Sequence, residues 1–484
     1  MNTQATLMAS LPYIVLAGGL LVVMLGICIR RTHFVAWSLT MVTLIATLAS
    51  HLLGYEALGE GITVTMLIHI DGVSYLFNAL FVLAAICTAV IAYQYVDEKL
   101  RFREEFYLLL LAATFGSLTL PAATHFVSLL LGLEIVSISL YAMVAYPEKV
   151  RGPLEAGLKY MILSVASTSS ILFGMALIYA ASGSMEFAQL TPVSGSAEGD
   201  VFYLLGHVFF WSGIAFKLSL VPFHIWTPDV YQGAPSIVTG FIATVSKGGV
   251  FVVVMRYVME SDVFSSEAIA QAIFLIAAIS MIVGNLLALQ QRNLKRLLAY
   301  SSIAHMGYLI IALFLVATQP SIGFETAIVY LAGYFVMTLA AFGVITVISQ
   351  GSDSELASID DIQGLLWRRP IPAATLVVSA LSLAGIPLTM GFIAKFYLFA
   401  AGIEGEMWTL VGLLVLGSAI GIFYYLRIIF AMTAKPEGEL DSVERGSWTG
   451  ISAVAVLGVA TLALGIYPTP LVDFVQTLVR VSGF

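Results

Sequence analysis

Apolar runs of about twenty residues, the length that crosses a bilayer as a helix, recur along almost the whole chain with only short polar connections between them. So many runs cannot all be hidden in one water-soluble core. Of the 484 residues, 60% are hydrophobic and only 10% charged, and the 41 glycines bring the apolar share to roughly 68%, against about 45–50% for a soluble domain. Soluble enzymes and disordered chains are excluded on that ground, and a net charge of −8 without a basic patch excludes a nucleic-acid binder. The pattern predicts an all-α polytopic membrane protein.

Candidate spans lie near 11–29, 34–53, 72–94, 106–122, 125–146, 155–181 and 201–225, then near 236–258, 267–289, 295–317, 323–348, 371–401, 408–431 and 450–469, about fourteen in all. Basic residues test the count, because they concentrate in cytoplasmic connections. Arg30 and Arg31; Lys99, Arg101 and Arg103; Lys149 and Arg151; Arg292, Lys295 and Arg296; Arg368 and Arg369; and Lys435 and Arg445 make fourteen of the 21 Lys and Arg residues, and all follow odd-numbered spans. Arg256 and Arg480 alone mark the other side. Both termini are therefore expected on the non-cytoplasmic side. The first run has no basic n-region and no cleavage site, so it reads as a retained span. Cys28 and Cys87 lie in apolar runs without metal-ligand spacing and read as small buried hydrophobes. The acidic segment Ser352-Asp353-Ser354-Glu355 reads as a solvated face or a docking surface.

Charges inside the runs stand out, since an ionised side chain at the bilayer centre costs about 2.5–3.5 kcal/mol on the mildest scale. Glu134 sits halfway through the fifth span, Lys217 in the seventh, Lys247 in the eighth and Lys395 in the twelfth. Burial disfavours a charged lysine and a nearby carboxylate favours it, so one acid and several lysines are the ingredients of a proton relay. A static interhelical ion pair is the competing reading. Lys159 lies nearer a helix end, and Arg427 is expected to snorkel to the surface.

Pro222 and Pro387 interrupt the seventh and twelfth spans. They stand 165 residues apart, five spans of about 33 residues, and an odd number of crossings inverts one unit relative to the other. Paired broken helices in inverted repeats characterise transport machinery, with the ion site beside the breaks. Among the seven histidines, His224 and His305 are relay candidates because imidazole both donates and accepts; an interhelical hydrogen bond is the alternative for each. Haem or zinc spacing, phosphate loops, nucleophile triads and dinucleotide motifs are absent from the sequence.

The stretch Phe216-Lys217-Leu218-Ser219-Leu220-Val221-Pro222-Phe223-His224-Ile225-Trp226-Thr227-Pro228-Asp229-Val230-Tyr231-Gln232-Gly233-Ala234-Pro235 resembles the signature of the antiporter-like membrane subunits of respiratory complex I, the bacterial NADH-quinone oxidoreductase. Asn293-Leu294-Lys295-Arg296-Leu297-Leu298-Ala299-Tyr300-Ser301-Ser302 and Gly385-Ile386-Pro387 followed by Gly391-Phe392-Ile393-Ala394-Lys395 extend the resemblance. The resemblance implies fourteen helices with N-terminal helices in 1–105, inverted five-helix repeats in 106–258 and 259–432, and a C-terminal connection and helix in 433–484. It implies a proton path through Glu134, Lys217, Lys247 and Lys395, modulated by Lys159. Lys395 and the short segment after the last span favour the N-type branch. The implied role is proton translocation driven by quinone reduction in partner subunits, in a bacterial inner membrane. FMN, iron-sulfur clusters and quinone then belong to those partners, including the peripheral NADH-oxidising arm, and no cofactor or metal is expected in this chain. A cation/proton antiporter subunit is the alternative, and a passive assembly subunit a further one.

Overall fold

Each apolar run winds into a helix because hydrocarbon offers its backbone no hydrogen-bond partner. The computed structural model describes residues 3–54, 59, 61–147, 151–191, 197–352, 354–435 and 447–482. Lys149, Asp353 and Arg445 lie outside the described residues.

Helices α1 (Thr3–Ile29) and α2 (His33–Gly54) form a hairpin. A two-stranded antiparallel ribbon, β1 (Ile62–Thr65) and β2 (Ile68–Ile70), leads to α3 (Gly72–Lys99), whose first turn is closed by a reciprocal capping box between Asp71 and Ser74. Next come α4 (Glu104–Thr119), α5 (Phe126–Ala145) and α6 (Arg151–Ser182). Helix α7 (Ala197–Lys217) stops short, and the chain resumes as α8 (Trp226–Gly233). Helix α9 (Ser236–Phe241), a π-helical turn (Ile242–Ser246) and α10 (Lys247–Ser261) continue as one span of 26 residues.

The second half begins with α11 (Glu267–Leu289), α12 (Leu294–Thr318) and α13 (Pro320–Ile348). The one-turn α14 (Leu365–Arg368) precedes two half-helices, α15 (Pro370–Ala384) and α16 (Met390–Glu404). Helices α17 (Trp408–Thr433), α18 (Trp448–Ile466) and α19 (Thr469–Val481) complete the described chain. Among the described residues, twelve helices are long and apolar enough to cross a membrane. The sixteen-residue α4 and the interrupted pair α15–α16 occupy the two remaining expected spans. The chain is thus a multi-span, all-α membrane protein.

Helices α9–α10 and α13 form the centre, each with 94% of its most apolar window buried, while α1 has 22% of its window buried and turns most of its apolar surface outward. The basic connections gather at one end. Arg31 bonds Glu105, Arg103 Nη1 lies 2.7 Å from Asp97, Lys99 bonds the Ser352 carbonyl, and Asn293 bridges to Ser358. At the other end Arg256 is buried and paired with Asp71 at 2.7 Å, and the Val73 N–H donates to Ser482 Oγ.

Three expectations need correction. Helix α1 begins at Thr3, well before residue 11, since the polar residues of its first turn do not stop it. Cys28 is exposed, facing outward from a peripheral helix, whereas Cys87 is half-buried. Glu355 of the acidic segment is neither a free solvated charge nor a docking residue, because it binds Lys295 and Ser236 within the chain.

Candidate functional site

Helices α5, α6 and α7 pack side by side and bring Glu134 and Lys217 onto one shared interface. The Glu134 carboxylate accepts a hydrogen bond from Thr168 Oγ1 of α6 at 2.7 Å. One turn along, Lys217 Nζ donates to Ser137 Oγ of α5 at 2.9 Å and to Ser164 Oγ of α6 at 2.6 Å. Glu134 and Ser137 are three apart on α5, and Ser164 and Thr168 four apart on α6, so each helix supplies two polar rungs to the same face. Glu134 makes no ion pair among the described residues, so the carboxylate and the ammonium are neighbours without direct pairing.

Lys217 is the last residue of α7, immediately before the first break. The break turns through Ser219, at φ 62°, and Pro222. It is tied down by the Val221 N–H donating to Ser280 Oγ at 2.9 Å, by Thr227 Oγ1 donating to Ser219 Oγ at 2.6 Å, and by the Trp226 indole donating to the Phe216 carbonyl at 2.9 Å. Freed polar groups of the broken helix thereby find partners inside the protein, as membrane depth requires.

Lys247 begins α10 directly after the π-helical turn. Its Nζ donates to Ser302 Oγ at 2.8 Å and lies 5.3 Å from the centroid of the Tyr231 ring. Tyr334 also donates to Ser302, at 2.8 Å. One turn further on α12, His305 Nδ1 lies 2.6 Å from the Tyr330 hydroxyl, and its ring sits 5.3 Å from that of Tyr334 and 5.7 Å from that of Tyr308. Lys395 Nζ lies 5.8 Å from the Tyr308 centroid. A line of buried polar groups thus runs from Lys247 through Ser302, Tyr334 and His305 toward Lys395. Among the described residues no hydrogen bond joins this line to the Lys217 group.

The second break follows α15, which ends in Gly385 at φ 84°, with Leu388 at φ 72° before α16 starts. Lys395 lies beyond the break in sequence, yet its Nζ returns to the Leu383 and Ala384 carbonyls at 2.9 and 3.0 Å. Its ammonium therefore sits at the negative end of the α15 dipole. The two breaks present their lysines alike, at the C-terminal end of the first half-helix, although one lysine precedes its break and the other follows it. Gly391 makes the return feasible: a Cβ there would lie 1.8 Å from the Ser382 carbonyl oxygen.

Three candidates sit elsewhere. Lys159 lies nine residues before Thr168, about 13 Å along α6, in an exposed cluster with Glu155 at 2.8 Å and Asp229 at 3.5 Å. Asp229 is held in turn by Arg296 at 2.6 Å. His224 is half-buried, its Nδ1 has no hydrogen-bond partner among the described residues, and its nearest ring, Tyr300, is 6.5 Å away. The structure does not join it to the lysines. Arg427 donates to the Leu289 and Gln291 carbonyls, closing the C-terminal end of α11. The hydroxyls of Ser137, Ser164, Thr168, Ser302, Tyr330 and Tyr334 went unread in the sequence, although each sits one turn from, or packs across from, a charged or histidine position.

Lys217, Lys247 and Lys395 each donate to neutral oxygens. A hydroxyl both donates and accepts, so Ser137, Ser164 and Ser302 can stay bonded to a lysine in either protonation state by rotating the O–H. Carbonyls only accept, so the Lys395 position suits a cation. The arrangement can hold and pass protons.

Comparison with known proteins agrees with this fold. A chain of respiratory complex I from Thermus thermophilus, in a structure with bound aureothin, is 32% identical, with 96% of this chain and 98% of that chain covered and a TM-score of 0.81. The fold also matches a chain of the Mrp complex from Dietzia sp. DQ12-45-1b at 19% identity, with 98% and 97% covered and a TM-score of 0.85. A chain of the archaeal membrane-bound sulfane sulfur reductase matches at 22%, with 99% and 97% covered and a TM-score of 0.83. Residues 123–421, which include both breaks and Glu134, Lys217, Lys247 and Lys395, match the family described as NADH:quinone oxidoreductase/Mrp antiporter, TM, and the chain belongs to that family.

Proposed function

We propose that the chain is a proton-translocating membrane subunit of an NADH:quinone oxidoreductase, of the N type, in a bacterial inner membrane with both termini on the non-cytoplasmic side. The observation that carries this reading is the set of two buried lysines and a half-buried third on neutral oxygens beside two broken helices, with a carboxylate one turn from the first. The identity over nearly the whole chain to a respiratory complex I chain supports the same reading. The catalytic event of the assembly, electron transfer from NADH to quinone, belongs to partner subunits that carry FMN, iron-sulfur clusters and the quinone site. This chain supplies proton movement, through Glu134, Lys217, Lys247 and Lys395.

In the proposed sequence a charge change arriving from a neighbouring membrane subunit alters Glu134. Because Glu134 is held by Thr168 rather than by a lysine, its carboxylate can move toward or away from Lys217 at the expense of one hydrogen bond. Lys217 then loads or releases a proton while remaining on Ser137 and Ser164. Lys247 and Lys395 act at the two ends of the His305 line. In this scheme 106–258 and 259–432 are inverted repeats that supply different parts of one path. Lys159 acts only at a distance, through the Asp229 cluster, and His224 has no assigned step.

The second reading is a cation/proton antiporter subunit, which the family's breadth supports. Gentle detergent extraction of the tagged chain from native membranes, with identification of co-purifying subunits and an NADH-to-quinone assay on the same fraction, separates the two. Recovery in an active assembly with flavin and iron-sulfur partners is expected. Recovery without them, together with proton-driven sodium or potassium exchange that needs no NADH, would replace the proposal by the antiporter reading.

A further inference from the structure

A partly open cavity of about 530 Å³ lies at the end where the basic connections gather, lined by Tyr95, Glu98, Asn293, Lys295 and Glu355 among others. Lys295 is its most enclosed lining charge, 3% exposed. Its Nζ donates to Glu355 Oε2 at 2.6 Å and to the Ala234 carbonyl at 2.7 Å. Glu355 also accepts from Ser236 Oγ at 2.6 Å and from the Ser236 N–H at 2.9 Å. The pair therefore fastens the point where α8 hands over to α9, one partner on each helix end.

Tyr231 stands on α8, next to this junction in the chain. It precedes Ala234 by three residues, about 4.5 Å of helical rise, and lies under the Lys247 ammonium. It is fully buried, and its hydroxyl has no hydrogen-bond partner among the described residues. Ser302 and Tyr334, already part of the Lys247 group, are its polar neighbours. Leaving a buried hydroxyl without a partner is unfavourable, and a transient water or proton carrier at that point would supply one.

We propose that this cavity is the vestibule from which Lys247 is loaded, with the Lys295–Glu355–Ser236 cluster as its gate and Tyr231 as the group behind the gate. The inference rests on the lysine relay proposed above. A hydronium in the cavity gives its proton to the Glu355 carboxylate and leaves as water. The resulting acid no longer pairs with Lys295, so the α8–α9 junction loosens and water reaches Tyr231. Glu355 gives its proton to that water, the resulting hydronium protonates the Tyr231 oxygen, and the Tyr231 O–H gives its own proton to Ser302 Oγ as the Ser302 O–H gives one to neutral Lys247, which becomes the ammonium while Tyr231 and Ser302 end unchanged. Glu355, a carboxylate again, re-forms the pair with Lys295 and the junction closes. Glu355 faces Lys295, with Tyr95, Glu98 and Lys99 as the other titratable groups on the cavity wall.

The test measures protons translocated per NADH oxidised in native-membrane vesicles of the full complex, at equal amounts of assembled complex. Glu355→Gln and Tyr231→Phe are each expected to lower the ratio at least twofold while uncoupled NADH oxidation continues, and Glu355→Asp is expected to restore it. Lys247→Ala is the reference. If Lys247→Ala collapses the ratio but Glu355→Gln and Tyr231→Phe leave it unchanged, the gate is overturned and the relay stands. A fall in assembled complex without a fall in the ratio makes the pair a structural clamp and also overturns the gate. If Lys247→Ala itself leaves the ratio unchanged, the relay beneath the proposal fails.

Discussion

An ammonium held by two serine hydroxyls can lose its proton without losing its neighbours, which is why the Lys217 environment matters more than the depth of its burial. Hydrogen bonds to a charged group contribute about 1.5–3 kcal/mol each. Ser137→Ala with Ser164→Ala is therefore expected to lower coupled proton movement by about tenfold or more with electron transfer retained, read from NADH-driven acidification of inverted vesicles; an unchanged rate would show that the serines do not set the site. Arg256 makes a contrasting case. Its buried pair with Asp71 fastens α10 to the start of α3, and its Nε also donates to the Pro121 carbonyl at 2.9 Å. Removing one partner of such a pair costs about 3–5 kcal/mol. Arg256→Met should lower the melting temperature of the purified complex and Asp71→Asn added to it should recover part of the loss; two additive losses would argue against the pairing. The charges were legible in the sequence because charge is rare in apolar runs. The hydroxyls were not, since a serine such as Ser139, bonded to its own helix at the Ile135 carbonyl, reads identically to Ser137.

Each break in the helices keeps a non-glycine residue in the left-handed region, Ser219 in one and Leu388 in the other. Such residues cost about 1–3 kcal/mol. Leu388 is largely exposed and makes its break the easier one to test. Leu388→Gly should leave stability unchanged or raise it by about 1 kcal/mol, measured by thermal unfolding of the complex, whereas a large loss would mean that its side chain anchors the turn. Gly391 lies on the other side of that break, where an added Cβ would strike the Ser382 carbonyl, while at Gly412 it would meet nothing within 4 Å. Gly391→Ala is therefore expected to abolish coupled translocation or assembly and Gly412→Ala to leave both intact. The breaks themselves were readable from Pro222 and Pro387. The return of Lys395 to the end of α15 was not, because it depends on how five intervening residues turn. The β-ribbon and α19 were also missed: the strands are only four and three residues long, and α19 buries Val475, Leu478 and Val479 on one face without forming an apolar run.

Across the whole molecule, hydropathy gave the spans and the basic residues gave their alternation, because both follow from transfer into a bilayer. Hydropathy could not tell the central helices from the peripheral ones. Helices α13 and α1 are comparably apolar, and one faces protein while the other faces outward. The contacts among the basic connections gather them at one end of the molecule, the end their sequence positions lead us to expect on the cytoplasmic side. Single cysteines placed in the Arg292–Arg296 connection and at the α19 end should react with an impermeant thiol reagent from opposite sides of the membrane, the first from the cytoplasm. The reverse pattern would invert the proposed direction of every proton step. The most direct test of the central claim is the number of protons translocated per NADH oxidised by vesicles in which this chain carries Lys217→Met and is assembled at wild-type amount. The account predicts that the ratio falls while NADH oxidation persists with an uncoupler, and a ratio equal to that of the unaltered complex would contradict it.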